Sequence, residues 1–187
     1  MNAADEKMGL AAVQALLDRE AIRDCLYRYC RGIDRVDEDL LRSAYWPDAS
    51  DSHGPYQGSA SGFIEWAMAR LATAGRGVHF IGNILIELHG DVAAVETYFQ
   101  ALQQSTDASG KVQHLHLWGR YADRFEKRGD EWRVAARVVI FDAIDQAESA
   151  PQTDVERFGP LRQPLGANNE HDAMYRLLAA VREENGA

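Results

Sequence analysis

An aspartate, Asp34, stands at the end of the most regular helical stretch of the sequence, IRDCLYRYCRGIDR at residues 22–35. Four apolar residues of this stretch recur at helical spacing and predict one buried stripe: Ile22, Leu26, Tyr29 and Ile33. A carboxylate is oddly placed there, because the partial negative charge at a helix C-terminus disfavours a further anion by up to about 1 kcal/mol. Asp34 is therefore a candidate for proton-transfer chemistry; the alternative is a solvated aspartate in a helix-ending turn.

The cation of Arg137 lies in a segment that otherwise consists of apolar and small residues. An unpaired charge buried in such a strand would cost several kcal/mol, so the guanidinium needs a partner. Two interpretations remain open. Arg137 binds an anionic or carbonyl group of a ligand, or it pairs structurally with a carboxylate such as Glu96 or Asp34.

Histidines supply the other acid–base groups that titrate near neutral pH. His79 falls in a predicted strand, where a packed core histidine is the simplest interpretation. His114 and His116 share one face of a later strand and could bind a divalent ion, but no acidic ligand follows in LWGRY, residues 117–121. The sequence also lacks a glycine-rich phosphate loop and a serine nucleophile elbow. We therefore expect neither a metal nor any other cofactor.

The order of the periodic segments predicts an α+β fold. Helical patterns run up to the break at residues 75–77, interrupted by residues 48–61, which are rich in Asp, Ser, Gly and Pro and predict a loop or irregular hairpin. Four segments rich in Val, Ile, Tyr, Phe and Trp then predict consecutive strands at residues 78–88, 92–104, 113–127 and 131–142. Helices followed by hairpin-connected strands indicate an antiparallel sheet. Asn169 is predicted to cap a final helix.

Alternation within the strands predicts how the sheet is covered. Regular alternation in the first long strand puts Phe80 and Ile84 on one face, and His79 and Ile81 on the other. A sheet with one apolar and one mixed face needs cover on both sides. We therefore expect helices on one face and a partner subunit or the C-terminal tail on the other, in a homo-oligomer such as a dimer or trimer.

The position of the last hairpin turn decides which aromatic residues would contact a substrate. A two-residue turn at residues 128–129 would place Trp118 opposite Val139 and His116 opposite Phe141. That register puts Trp118 and His116 on a cavity wall. Two further aromatic residues are candidates for the same wall: Phe63 and Tyr98. Plain core packing is the alternative for each of them.

Composition argues against several classes of partner. The net charge of −9 leaves no basic surplus to neutralise phosphates, so no nucleic-acid partner is expected. No apolar run of about 18 residues is present, and the N-terminal MNAADEKMGLAAV lacks the layout of a signal peptide, so we expect no membrane association and a cytoplasmic location. Cys25 and Cys30 lie on one predicted helix, where a disulfide is disfavoured, and both are expected to be reduced core residues.

Three segments together resemble a known family: LLDREAIRDCLYRYCRGIDR (16–35), VHFIGNILIELHGDVAAVETYF (78–99) and GRYADRFEKRGDEWRVAARVVIFD (119–142). In order and spacing they are similar to the nuclear transport factor 2-like superfamily. Within it, they resemble the SnoaL-like branch that includes scytalone dehydratase, bile acid 7α-dehydratase and lindane dehydrochlorinase. The resemblance implies a cone-shaped, curved antiparallel sheet with the N-terminal helices on its concave face, over residues 1–145. Residues 146–187 would form a C-terminal extension with a terminal helix.

The same resemblance implies a catalytic site. In these lyases an aspartate at the end of the first helix orients a histidine of the first long strand, and the matching residues are Asp34 and His79. By position, Tyr29 and Arg137 also match active-site residues of the branch, and His116 matches a second strand histidine. The implied function is a cofactor-independent dehydratase, dehydrohalogenase or isomerase, in which His79 removes a proton from a small, largely apolar molecule. A non-catalytic binding protein, or a hydrolase or cyclase, of the same fold is the alternative.

Overall fold

The structure is a computed structural model that describes residues 3–148, 166–169 and 171–184. These residues form four helices and six strands: α1 (Ala3–Arg35), α2 (Glu38–Arg42), β1 (Tyr45–His53), β2 (Tyr56–Ser59), α3 (Ala60–Leu71), β3 (Gly77–His89), β4 (Val92–Thr106), β5 (Val112–Arg128), β6 (Glu131–Glu148) and α4 (Ala173–Glu184). The strands build one curved, open sheet in the order β2-β1-β6-β5-β4-β3. All neighbours are antiparallel except β1 and β6, which run parallel. The predicted α+β architecture is confirmed.

The N-terminal helices cover one face of the sheet, called the inner face below. The apolar stripe of α1 is buried as predicted: Ile22, Leu26, Tyr29 and Ile33. This stripe packs on β3 and β6, while α3 packs on β1 and β2. Burial of each large apolar side chain contributes about 1.5–3 kcal/mol. The layer therefore fixes the C-terminal end of α1, where Asp34 lies, against the sheet.

Two strands, β1 and β2, occupy the region that was predicted as a loop or irregular hairpin. Asp and Pro are poor strand formers. Together with the serines they give this segment the composition of a loop, so its strands were not predicted. Pro47 lies where the register between β1 and β6 shifts, between Tyr45 and Ser50, so its missing N–H removes no regular ladder hydrogen bond. Beyond the shift, Asp51 pairs with Arg137 of β6. The parallel strand β1 therefore brings a carboxylate beside the buried arginine.

A β-bulge in β3 changes which residues face the helices. The register with β4 shifts between Gly82 and Ile84, and Asn83 adopts a positive φ of 49°. Because one extra residue inverts the alternation, His79 and Ile84 lie on the same inner face. The predicted opposition of these two residues is therefore wrong. The imidazole of His79 points towards α1 as a consequence.

The last hairpin turns one residue later than predicted. Arg128 pairs with Glu131, so the turn is formed by residues 129 and 130, with Gly129 at φ 66°. Further register shifts in this hairpin place Trp118 opposite Ala143 and His116 opposite Asp145. The predicted pairs of Trp118 with Val139 and His116 with Phe141 are wrong.

The C-terminal helix α4 contacts α1 of the same chain. Its cap is Asp172 and not the predicted Asn169, since the Asp172 carboxylate accepts the backbone N–H of Met174 at 3.1 Å. The guanidinium carbon of Arg31 lies 5.1 Å from the ring centre of Tyr175. This cation–π contact holds α4 near the end of α1.

Cys25 and Cys30 are buried in α1 and unpaired, as predicted. Burial raises the pKa of the Cys25 thiol to about 11 and that of Cys30 to about 12, so both thiols stay protonated at neutral pH. None of the described helices is long and apolar enough to cross a membrane. The cytoplasmic location, the absence of a nucleic-acid partner and the domain division after residue 145 stay predictions.

Asp18 joins α1 to the hairpin of β5 and β6. Its Oδ1 accepts hydrogen bonds from Trp132 Nε1 and Lys127 Nζ, both at 2.9 Å, and its side chain is 14% exposed. Burial opposes ionisation, but the hydrogen bonds from Trp132 and Lys127 outweigh it and lower the pKa of Asp18 below its ordinary value. The ionised carboxylate is thus the form that stabilises the fold.

Replacing Asp18 by Asn is expected to lower the free energy of unfolding at pH 7 by about 1.5–3 kcal/mol, because hydrogen bonds to a charged acceptor are lost. A depressed folded-state pKa stabilises above the ordinary pKa and loses that contribution as pH falls. The difference between wild type and Asp18→Asn should therefore shrink below about pH 4. Urea unfolding at a series of pH values measures it, with exposed Asp24→Asn on the same helix as the control. A difference that does not change with pH contradicts the assignment.

Candidate active site

Asp34 and His79 meet as predicted. Asp34 Oδ1 lies 2.6 Å from His79 Nδ1, and Asp34 Oδ2 accepts the backbone N–H of His79 at 2.9 Å. The two side chains are 13% and 6% exposed, respectively. Both oxygens of the Asp34 carboxylate therefore bind His79, one at its ring and the other at its backbone N–H. Such a two-point contact fixes the orientation of the imidazole.

The end of α1 presents the carboxylate through a Schellman turn. The N–H of Asp37 donates to the carbonyl of Gly32 at 2.9 Å, and the N–H of Val36 donates to that of Ile33 at 3.3 Å. Val36 takes the left-handed position of this turn with φ 53°, where glycine is the usual residue. A β-branched residue is strained there, at a cost of about 1–3 kcal/mol. The strained residue lies two positions after Asp34, next to the chemical group it helps to place.

The pairing with Asp34 determines which nitrogen of His79 is free for chemistry. An acceptor carboxylate at Nδ1 favours the tautomer with hydrogen on Nδ1, because that N–H donates to it. Nε2 then carries the lone pair. His79 is therefore arranged as a base at Nε2, with a carboxylate behind it that stabilises the imidazolium formed when a proton is taken.

Arg137 is completely buried and forms an ion pair that was not predicted. Its Nε and Nη2 each donate to a carboxylate oxygen of Asp123 at 2.7 Å. The guanidinium carbon also lies 4.0 Å from the ring centre of Tyr29 and 4.2 Å from that of Tyr121. Arg137 thus pairs with a carboxylate, as one of its two interpretations predicts, but the partner is neither Asp34 nor Glu96, and its role towards a ligand stays a prediction. Among the described residues, Nη1 of the guanidinium has no hydrogen-bond partner.

Tyr29 belongs to the Arg137 group and not to the Asp34–His79 pair. Its ring lies edge-on to Tyr121 at 5.5 Å between centres, and its hydroxyl has no hydrogen-bond partner within the described part of the chain. Burial raises the pKa of Tyr29 well above its ordinary value, so the hydroxyl stays protonated and can donate. Phe99 lies between the two groups, stacked on Tyr121 at 4.5 Å and 6.5 Å from the His79 ring centre.

Of the four aromatic residues predicted to line the site, only Phe63 lies on the inner side, where it is buried. The others lie on the outer face of the sheet: Tyr98, His116 and Trp118. Tyr98 is paired with Arg120, and His116 stacks on Trp118 with 6.0 Å between ring centres. The prediction that these three share a wall with His79 is wrong. The true register of the last hairpin puts His116 and Trp118 on the outer face, and alternation in β4 puts Tyr98 on the face opposite to its buried neighbour Phe99.

Several inner residues of this region were missed by the sequence analysis: Tyr45, Asp51, His53, Phe99, Tyr121, Asp123 and Phe141. A signal for Asp123 was present, since it alternates with Tyr121 and Phe125 in β5 and all three are buried. An acid in such a buried position requires a cation. Asp51 and His53 gave no comparable signal, because the sequence around them reads as a loop.

A cavity of about 450 Å³ lies beside the C-terminal end of α1. Its lining comes from Arg35, Val36 and Asp37, from the end of α3 and from the segment that precedes and begins α4. Among the described residues, no group of three or more His, Cys, Asp or Glu side chains is arranged to hold a metal ion.

Residues 14–138 match the family model of the SnoaL-like domain. Among solved structures, a hexachlorocyclohexane dehydrochlorinase from Novosphingobium barchaimii is 17% identical, with a TM-score of 0.66 over 75% of this chain and 99% of its own. A scytalone dehydratase-like protein from Novosphingobium aromaticivorans is 17% identical, with a TM-score of 0.64 over 75% and 93%. Rv3472 from Mycobacterium tuberculosis, of unknown function, is 24% identical, with a TM-score of 0.54 over 98% and 95%. No match is found among curated protein sequences. At these identities the structural likeness shows the fold alone.

Proposed function

The chain belongs to the SnoaL-like domain family, and from this premise we propose that it is a cofactor-independent lyase that eliminates water or a hydrogen halide from a small, largely apolar molecule. The observation that carries the proposal is the two-point contact of Asp34 with the ring and the backbone of His79. A carboxylate that was only a solvated residue of a helix-ending turn would not bind both the ring and the backbone of a histidine on another element. Two of the structural relatives are named as a dehydrochlorinase and a dehydratase-like protein, which supports elimination as the reaction class.

In the proposed reaction, Nε2 of His79 takes a proton from a carbon that is acidified by a neighbouring carbonyl or ring. The electron pair of the broken C–H bond forms a double bond to the adjacent carbon, and the leaving group departs from that carbon with its own bonding pair. Asp34 stabilises the imidazolium that results. Proton transfer by a positioned base contributes about 10²–10⁴ to the rate.

The buried polar group around Arg137 would hold the oxygen of the substrate. The Tyr29 hydroxyl and Arg137 Nη1 are donors that have no hydrogen-bond partner in the part of the chain that the structure describes, and buried donors of this kind are normally satisfied. A carbonyl oxygen that gains negative charge during proton removal would accept from them. Phe63 and Phe99 supply apolar surface for the carbon skeleton.

The function is tested by screening hydroxylated and halogenated cyclic ketones with the purified protein. Elimination is recognised by mass spectrometry as loss of water or hydrogen halide with formation of a conjugated double bond. Product of unchanged mass with a moved double bond would instead indicate an isomerase. Saturable binding of these compounds with no conversion would indicate the non-catalytic alternative and overturn the proposal.

The outer face of the sheet supports the predicted homo-oligomer as a second proposal. Three apolar side chains of β3 are exposed on this face: Val78, Phe80 and Leu85. Such a patch is unusual on a monomer, and a second copy of the chain would cover it. Multi-angle light scattering should then give a mass of two or more chains, reduced to one by Phe80→Glu and unchanged by Tyr27→Glu at an exposed position of α1. A monomeric mass for the wild type contradicts this proposal.

A further inference from the structure

A second aspartate–histidine pair lies on the inner side of β1. Asp51 is fully buried, and its Oδ2 accepts the hydroxyl hydrogen of Tyr45 at 2.6 Å. Its other oxygen, Oδ1, lies 3.6 Å from Nδ1 of His53. The arrangement parallels that of Asp34 and His79: one oxygen is anchored, and the other faces Nδ1 of an imidazole. The second pair is looser, with 3.6 Å between Oδ1 and Nδ1 against 2.6 Å in the first pair.

The two imidazoles border the same pair of aromatic rings. His53 lies 6.2 Å from Phe141 between ring centres, Phe141 lies 6.3 Å from Phe99, and Phe99 lies 6.5 Å from His79. His53 also stacks on Phe63 at 4.7 Å, which sets the plane of its ring. The rings of Phe99 and Phe141 meet edge to face, with 88° between their planes, and form an apolar corner with one imidazole beyond each ring. A carbon skeleton held against this corner would lie between the two imidazoles.

Buried polar atoms without partners concentrate around this second pair. Asp51 Oδ1 and His53 Nδ1 have no hydrogen-bond partner among residues 3–148, 166–169 and 171–184. The same holds for atoms on three residues of the Arg137 group: Tyr29 OH, Tyr121 OH and Arg137 Nη1. Native interiors leave few such atoms unsatisfied. Their concentration at one place indicates a position that a polar ligand group or water completes.

The Asp51 carboxylate is arranged to position His53. Asp123 engages Arg137 through both oxygens. The Asp51 carboxylate instead has Oδ2 on the Tyr45 hydroxyl and Oδ1 towards Nδ1 of His53. A carboxylate on the Nδ1 side orients an imidazole so that Nε2 points away from it. His53 is therefore a second positioned imidazole, and it is the group available to return a proton when the first imidazole acts as the base.

We infer that His53 is a second catalytic residue of the proposed lyase and gives its proton to an oxygen leaving group, with Asp51 as its positioning residue. The inference rests on the proposed function and names its substrate class as hydroxylated and not halogenated compounds, since halide leaves as a stable anion and needs no proton. In the complete step His79 gains the proton from carbon, the C–O bond breaks with its electrons on oxygen, and His53 protonates that oxygen. The products are the alkene and water, and the two histidines then exchange protons with solvent.

The test uses β-aryloxy ketones that differ only in the leaving group. One carries para-nitrophenoxide, which is stable as an anion, and the other para-methoxyphenoxide, which needs a proton to leave well. His53→Gln is expected to lower kcat/KM for the methoxy compound by about 10²-fold, and to leave the nitro compound within a few-fold of wild type. Asp51→Asn should show the same selectivity between the two compounds, with a smaller loss of kcat/KM. His89→Gln, at an exposed histidine of β3, is the matched control and should affect neither compound.

The outcomes distinguish a failure of the role of His53 from a failure of the proposed elimination. Equal losses on both compounds for His53→Gln and Asp51→Asn, or no loss on either, would overturn the role of His53 while leaving that of His79 intact. If His79→Gln matches wild type, or if wild type converts neither compound, the proposed elimination itself fails and this inference fails with it. Thermal unfolding of each variant identifies any loss that comes from misfolding, and then Asp51→Asn decides.

Discussion

His79→Gln is expected to lower kcat for elimination by about 10²–10⁴-fold, because the base is removed while the shape of the side chain is largely kept. Asp34→Asn should lose less. The amide can still occupy the position of the carboxylate, but it cannot stabilise the imidazolium that His79 becomes. The measurement is kcat and KM on the best compound from the ketone screen. The loss should fall on kcat, since neither residue contributes uniform binding in this scheme.

Two controls make that result specific. His89→Gln changes an exposed histidine of the same strand β3 and should keep wild-type activity. Circular dichroism and thermal unfolding should show that His79→Gln is folded, because Asp34 still accepts the backbone N–H at position 79. Turnover within a few-fold of wild type in a folded His79→Gln variant would contradict the mechanism. The SnoaL-like fold and the buried Arg137 group would then remain as the frame of a binding protein.

The Asp34–His79 pair could be predicted from the sequence, but each of the two residues was predicted from a different kind of evidence. The position of Asp34 follows from periodicity, since the apolar stripe of α1 fixes where the helix meets the sheet. The inner face of His79 does not follow from periodicity. Regular alternation puts His79 and Ile84 on opposite faces of the strand, and the bulge at Asn83 brings them to the same face. The family resemblance supplied His79 because it compares whole segments and therefore includes the bulge.

Register in long hairpins could not be read from the sequence with the same success. β5 and β6 pair with two internal shifts as well as a turn displaced by one residue. Each shift of one residue moves side chains to the opposite face. His116 and Trp118 therefore went from a predicted wall of the site to the outer face of the sheet. The partner of Arg137 was missed for the same reason, since Asp123 reaches it only in the true register.

The region of β1 shows a different limit. Its composition is that of a loop, and its strand character depends on pairing with β6. Tertiary contacts override local propensity in such cases. The consequence for function is direct, because Asp51 and His53 become inner residues only when this pairing is made.

The ion pair of Arg137 and Asp123 should be the most sensitive polar contact for stability. Arg137→Leu leaves the Asp123 carboxylate buried without its cation, and breaking such a pair costs about 3–5 kcal/mol. Both side chains have no exposed surface, so solvent cannot replace the lost partner. Urea unfolding at neutral pH measures the change. The same variant is expected to lose activity, because the Tyr29 ring packs on the guanidinium at 4.0 Å.

The double variant Arg137→Leu with Asp123→Leu separates the cost of an orphaned charge from the worth of the pair. Replacing a whole buried ion pair by apolar side chains is often neutral or stabilising, so the double variant should recover most of the stability that the single variant loses. Arg120→Leu is the control, since its contacts with Glu96 and Asp142 lie on the outer face and exposed pairs contribute up to about 1 kcal/mol. A double variant as unstable as Arg137→Leu would mean that the guanidinium itself, packed between Tyr29 and Tyr121, holds the interior together. In that case Arg137→Lys should also lower the free energy of unfolding, because an ammonium group cannot fill the space between the two tyrosine rings.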